Sequence, residues 1–293
     1  MINLNIDFDK FIEDNWKSQK PIVIRNMVDS IDLAKFSYVN IKENIDSSVK
    51  ADLFFHNYNK TGKTLRRKIP NANLIPSLIN KYDAQGEEII LYLFNFDRKS
   101  KAYSSLRESL RFGYDFRYYS SLISISNNRS VIPAHFDFID SLVFQIEGTR
   151  RWKIWDYSNL SNEQLIQLNN LKGNDLSIMK SMNLVEEIDL YPGDVLFLPA
   201  LFGHEGITTS EFAVSYSSGW TSYSPYRIAK AVSPEFLKLC IGQNPHREFY
   251  LPINMKELTN YSQYFINSKI ITKDNPIVQI IMNLDYKELY RLP

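Results

Sequence analysis

His135-Phe136-Asp137-Phe138-Ile139-Asp140-Ser141-Leu142-Val143-Phe144-Gln145-Ile146-Glu147-Gly148-Thr149-Arg150-Arg151-Trp152-Lys153-Ile154-Trp155 is the stretch from which the fold follows. It holds two runs rich in β-branched and aromatic residues, SLVFQIEG and RRWKIW, divided by the turn signal Glu147-Gly148-Thr149. Runs of the same character lie on either side: EEIILYLFNF from Glu87, YYSSLISIS from Tyr118, EEIDLYPGDVLFLP from Glu186 and FAVSYSSGW from Phe212. Many short strands at this spacing, without intervening helices, predict a mainly β protein, either an antiparallel barrel or a two-sheet jelly roll.

The flanks read differently. Phe8, Phe11, Ile12 and Trp16 stand at helical spacing before Pro21 opens an extended PIVIRN segment. Residues 30–85 are mixed, with a helix predicted near 74–82, and Leu65-Arg66-Arg67-Lys68 reads as a solvated face or loop. Between Tyr157 and Ser181 a polar insertion of helical character leaves the β region. After Pro225 the pattern is helical again, through IAKAVSPEFLKLCIG, INMKELTNYSQYF and NPIVQIIMNLDYKELY. The chain therefore divides into residues 1–225, a β-rich catalytic domain with N-terminal helices, and 226–293, a helical segment whose apolar faces pack on the barrel or on a second copy as a homodimer.

Bulk composition narrows the function classes. With 44% hydrophobic and 14% aromatic residues in 293, the chain can bury a large core. Its 34 basic and 33 acidic side chains nearly cancel, so total charge gives no argument for nucleic acid or an anionic membrane. A single cysteine, Cys240, excludes an internal disulfide framework and any multi-cysteine metal site, and its position reads as a buried helix residue. No segment approaches the ~20 apolar residues of a membrane helix, and the first residues show no export pattern, so a cytoplasmic protein is expected.

Only four histidines are present, His56, His135, His204 and His246. His135 and Asp137 are two apart in an extended segment, so their side chains share one side. His204, after YPGDVLFLPALFG, is placed to return to the same mouth of a barrel. Two imidazoles and one carboxylate on one face of an octahedron leave three positions open, the arrangement of non-haem Fe(II) oxygenases. Thirteen positions beyond Asp137, strand alternation sets Arg150, Trp152 and Ile154 on one face and Arg151, Lys153 and Trp155 on the other. An inward Arg150 needs an anion, and a dicarboxylate bound to iron at one end would present its other end to the guanidinium. His56 and His246 lack partners at ligand spacing, Glu205 points away from its neighbour His204, and Thr61-Gly62-Lys63-Thr64 lacks the first glycine of a phosphate loop.

HFDFIDSLVFQIEGTRRW resembles the metal-to-co-substrate strand pair of JmjC protein hydroxylases of the cupin type, in particular the ribosomal oxygenases and the asparaginyl hydroxylase that acts on hypoxia-inducible factor. YPGDVLFLPALFGHEG with AVSYSSGW is similar to their distal-histidine segment, and FIEDNWKSQKPIVIRN to the opening of the ribosomal oxygenases. The resemblance covers roughly residues 8–225. It implies a double-stranded β-helix, His135, Asp137 and His204 as ligands to Fe(II), and Arg150 on the distal carboxylate of 2-oxoglutarate, with O2 as the second co-substrate. It further implies Tyr92 as a co-substrate contact. Ser215 stands where relatives carry an asparagine near the iron, and the loop SNNRSVIPA lacks the glycines of the bacterial ribosomal enzymes. The tail after Pro225 resembles at most the helical dimerisation segment.

These readings converge on an Fe(II)- and 2-oxoglutarate-dependent dioxygenase hydroxylating a protein or peptide side chain. A tRNA-modifying hydroxylase or demethylase of the same fold, and a non-catalytic cupin binding module, are the alternatives. Near-neutral charge weighs against a nucleic-acid partner.

Overall fold

The computed structural model describes residues 7–11, 14, 19–45, 49–56, 64–69, 74–110, 118–127, 129–171, 176–221, 224–232, 234–242 and 245–251. Its strands are β1 (Ile22–Ile24), β2 (Lys50–His56), β3 (Thr64–Ile69), β4 (Ile89–Phe94), β5 (Tyr118–Asn127), β6 (Val131–Phe136), β7 (Ile139–Glu147), β8 (Arg150–Asp156), β9 (Asn183–Leu190), β10 (Val195–Leu198), β11 (Gly203–Thr208) and β12 (Phe212–Thr221). They form an eight-stranded sheet, β1-β10-β7-β12-β5-β4-β2-β3, and a four-stranded sheet, β6-β11-β8-β9, with antiparallel neighbours. Successive strands thus alternate between sheets, β5 to β6, β6 to β7 and β7 to β8, which is the double-stranded β-helix expected from the sequence.

Period-two alternation decides which face each residue takes. On β5, Ile123 and Ile125 join an outer apolar layer with Phe36, Tyr103, Leu106 and Phe144, while Ser124 and Ser126 turn to the barrel interior. On β8, Arg150, Trp152 and Ile154 are buried and Arg151 is exposed, as predicted. The turn from β7 to β8 requires glycine: Gly148 has φ +62°, and a Cβ there would lie 1.9 Å from the Phe212 carbonyl oxygen.

The flanks hold both agreements and corrections. Phe8–Phe11 is helical with Phe11 buried, whereas Ile12 and Trp16 lie outside the described residues. PIVIRN supplies β1, and the helix predicted near 74–82 spans Ile75–Ala84. The mixed region also contains the β2–β3 hairpin, so the Leu65-Arg66-Arg67-Lys68 run is strand at the sheet edge rather than loop. Helices do interrupt the β region, because a 3-10 turn Phe96–Arg98 and the helix Lys101–Ser109 separate β4 from β5. They fit there since Tyr103 and Leu106, one helical face, cover the outer apolar layer.

The insertion after β8 forms the helix Asn162–Asn170, opened by a capping box of Ser161 and Gln164. Helices Pro225–Val232 and Pro234–Gly242 meet it: Tyr226, Ile228, Ala229, Phe236, Phe249 and Tyr250 share a buried cluster with Tyr157, Leu160, Leu165 and Leu168. Cys240 is a free, buried helix residue in that cluster, as the sequence suggested. INMKELTNYSQYF and NPIVQIIMNLDYKELY lie outside the described residues.

Candidate metal centre and neighbouring cation

His135 near the end of β6 and His204 near the start of β11 are direct cross-strand partners, and Asp137 follows β6 by one residue. One ligand atom from each of the three can be chosen so that all lie within 4.8 Å of one another. Asp137 Oδ2 is 3.8 Å from Nε2 of both histidines. Ligands about 2.1 Å from one ion fit that spacing after a closure of under about 1 Å each, and Asp137, with 45% of its side chain exposed, has room to turn.

Local backbone fixes the rings. His135 Nδ1 lies 2.7 Å from the Pro133 carbonyl oxygen, and His204 Nδ1 lies 3.1 Å from that of Phe202. A carbonyl only accepts, so each Nδ1 carries the hydrogen and each Nε2 turns its lone pair toward the shared centre. Burial, then the neighbouring His135, pulls the His204 pKa down to about 4 against the opposing pull of Asp137. The ring is neutral at pH 7, the form that binds a metal.

The turn 199–202 braces two of the three residues of this cluster. Leu201 N–H donates to the Asp137 carbonyl at 2.7 Å, Ala200 N–H donates to Asp140 Oδ1 at 2.8 Å, and the Phe202 carbonyl holds the His204 ring. Leu201 adopts φ 72°, a left-handed conformation that a leucine enters only when its surroundings hold it there. From the far side, Arg227 of the helix Pro225–Val232 sits 4.4 Å over the Phe138 ring, with Nη1 3.3 Å from the Phe138 carbonyl.

Along the interior, β8 and β11 pair in the rows Ile154–His204, Trp152–Gly206 and Arg150–Thr208. In the middle row the neighbours close over the bare backbone of Gly206: a Cβ there would lie 3.1 Å from Arg150 Cδ and 3.2 Å from the Trp152 ring. Arg150 is wholly buried. Its Nη1 donates to Ser124 Oγ at 2.7 Å and Ser215 Oγ at 2.6 Å, and its Nη2 to Ser126 Oγ at 2.7 Å. Nε is buried with no partner, and among the described residues no carboxylate pairs with this cation. Burial accordingly pulls its pKa down to about 10. Tyr92 stands beside Ser124 across β4 and β5, and burial raises its phenol pKa, with Arg150 lowering it and Asp137 raising it.

The structure therefore brings His135, Asp137 and His204 to one point, and Arg150, Ser215 and Tyr92 to one wall beyond it. Glu205 points elsewhere, 3.9 Å from Lys153, and His246 is exposed. His56 is on β2. Sequence reasoning passed over Ser124, Ser126, Thr208, Gly206 and Asp140; small hydroxylic residues on the interior face of SSLISIS were the available signal.

Comparison with known proteins agrees with this architecture. Residues 97–227 match the JmjC domain model. The ribosomal protein uL16 3-hydroxylase of Escherichia coli (strain K12) is 23% identical over 256 residues, 85% of this chain and 62% of that protein. The chain thus spans less than two thirds of that relative's length. The X-ray structure of E. coli ycfD superposes with TM-score 0.60 at 21% identity, covering 96% of this chain and 71% of that one. YcfD, a ribosomal oxygenase from E. coli, in complex with cobalt and 2-oxoglutarate gives TM-score 0.58 at 20% identity, covering 99% and 71%. The JmjC resemblance and the mainly β, cupin-type fold read from the sequence are borne out.

Proposed function

We propose that this chain is an Fe(II)- and 2-oxoglutarate-dependent dioxygenase that hydroxylates a protein or peptide side chain. The observation that carries the reading is the pairing of a two-histidine, one-carboxylate cluster with a buried guanidinium that pairs with no carboxylate among the described residues. His204 and Thr208 lie four positions apart on β11, about 13 Å of strand, and the Arg150 stem leans back over Gly206 toward the cluster. That interval suits a short dicarboxylate spanning from metal to cation.

His135, Asp137 and His204 would hold the ferrous ion, their donor set leaving open positions for further ligands. Bound there with 2-oxoglutarate and O2, iron supplies oxidative decarboxylation of the co-substrate and transfer of oxygen to an unactivated C–H bond. The chain's own residues orient and enclose. The Pro133 and Phe202 carbonyls keep both Nε2 atoms unprotonated and aimed inward. Arg150 neutralises the far carboxylate, and Tyr92 and Ser215 line the same wall. Trp152 and Ile154 close the interior to water, which strengthens the Arg150 interaction.

Two further observations support a polypeptide substrate: the JmjC match, and the name of the E. coli relative, which acts on ribosomal protein uL16. Among the described residues no helix is long and apolar enough to cross a membrane. With one cysteine and near-balanced charge, we place the reaction in the cytoplasm with no nucleic-acid partner, and the helices after Pro225 remain the surface for a homodimer.

His135→Ala tests the assignment. The variant should lose 2-oxoglutarate turnover to succinate while keeping its fold by circular dichroism, and undiminished turnover would refute it. Mass spectrometry of ribosomal proteins for a gain of one oxygen then identifies the substrate.

A further inference from the structure

Asp137 and Phe138 form the two-residue link by which the chain leaves β6 in the smaller sheet and enters β7 in the larger one. Both lie outside the ladders, so strand pairing fixes neither of their carbonyls, and each must find a donor elsewhere. The Asp137 carbonyl takes Leu201 N–H from the turn before β11. The Phe138 carbonyl takes Arg227 Nη1 from the helix Pro225–Val232, and the same guanidinium lies over the Phe138 ring. That ring also meets Phe136 edge-on, with centroids 5.6 Å apart. One cation thus holds both the main chain and the side chain of the residue after Asp137.

Arg227 is itself seated from behind. Ser224 Oγ accepts Arg227 N–H at 3.2 Å, capping the first turn of its helix, and donates to Asn169 Oδ1 at 3.4 Å. Asn169, near the end of the helix Asn162–Asn170, donates to the Leu165 and Tyr250 carbonyls at 3.0 and 3.1 Å. Ser224 and Asn169 are both buried. A polar chain therefore runs from Tyr250 through Asn169, Ser224 and Arg227 to the edge of the metal cluster.

We propose that Arg227 is a positioning residue for the metal-site carboxylate, through which the helical cover sets how Asp137 approaches the ion. This rests on the metal-binding function proposed above. With Leu201 holding one carbonyl of the link and Arg227 the next, Asp137 closes on an ion by turning its side chain while its Cα stays in place. Without Arg227 the Phe138 peptide gains freedom, and metal binding must then order it. The insertion and the helices after Pro225, which supply no residue of the cluster, thereby become part of the metal site.

The test titrates full-length protein with Co(II), followed by visible absorption. Arg227→Met keeps an apolar stem over Phe138 and loses the charge and the donors; Co(II) affinity should fall about tenfold and the absorption of bound Co(II) should change. Arg227→Lys, with a cation for the ring and a donor for the carbonyl, should recover most of the affinity. In an Asp137→Ala background, where the two histidines bind Co(II) more weakly, Arg227→Met should cost less than about twofold more, because the carboxylate it positions is gone. If Arg227→Met does not fold, Ser224→Ala, which removes only the cap that seats Arg227, takes its place in the same comparison. Unchanged affinity and absorption, or an equal loss in both backgrounds, would overturn the positioning role. Wild-type protein that binds no Co(II) would instead overturn the metal centre itself.

Discussion

Arg150→Met should make the empty protein more stable and the ligand-loaded protein no better. Arg150 is buried and pairs with no carboxylate among the described residues, and burial pulls its pKa down to about 10 from the ordinary arginine value. A drop of roughly two to three decades, at about 1.4 kcal/mol each, means the charged form costs the native state about 3 kcal/mol. The sign follows from linkage. A base whose folded-state pKa is depressed destabilises the fold fully at every pH below the folded pKa, and the cost fades only as pH rises from about 10 toward the unfolded value. At pH 7.5 the whole penalty is present. Methionine removes it, and the lost hydrogen bonds orphan nothing, because Ser124 stays paired with Ser215 and Ser126 with Thr208.

For a chain of this size about 1 kcal/mol moves the melting temperature by about 2 °C, so the variant should melt about 6 °C higher. Ligand cancels the difference. With Mn(II) and 2-oxoglutarate at a hundred times its Kd, the wild type gains about 2.7 kcal/mol, while the variant gains only what the metal gives. Differential scanning calorimetry with and without 2-oxoglutarate reads both effects. An empty variant that melts at or below the wild type, or one shifted by 2-oxoglutarate as far as the wild type, would show that the cation is compensated by something other than a bound dianion.

Asp140→Ala removes the acceptor for Ala200 N–H and loosens the turn that carries the Leu201 and Phe202 contacts to the metal ligands; Mn(II) affinity should fall about 10- to 100-fold, with Asp140→Asn, which can still accept, close to wild type. Cys240, whose thiol burial pushes up to about 12, should resist Ellman's reagent in the native protein and react at once in guanidinium.

Period-two strands were legible because their chemistry is local. RRWKIW told which arginine faces inward, and the His135–Asp137 interval told that the two share a side, since both statements need only strand geometry. The β2–β3 hairpin was not legible. TLRRKI carries three consecutive basic residues on the last strand of the sheet order, a position that tolerates charge, so its pattern resembled a loop. The helix Lys101–Ser109 was equally obscure because its apolar side is short and is recruited by a layer, Ile123, Ile125 and Phe144, that forms only when the larger sheet exists. At the site, the triad and Arg150 showed as residue types that need partners. Gly206 and Asp140 did not, as their roles lie in the close approach of two side chains to bare backbone and in a main-chain hydrogen bond, neither of which has a sequence pattern.

The strap from Arg227 to Phe138 bears on the order in which the protein matures on the ribosome. The strands through β12, His135 and His204 are all synthesised before Pro225, and the strands can pair as soon as they leave the exit tunnel. The hold on Phe138 and the apolar cover over Leu165 and Leu168 come from segments made later, Tyr226 to Tyr250. A nascent barrel can therefore close with Asp137 already held by the 199–202 turn, and the Phe138 side of that loop gains its second hold only once Arg227 has docked.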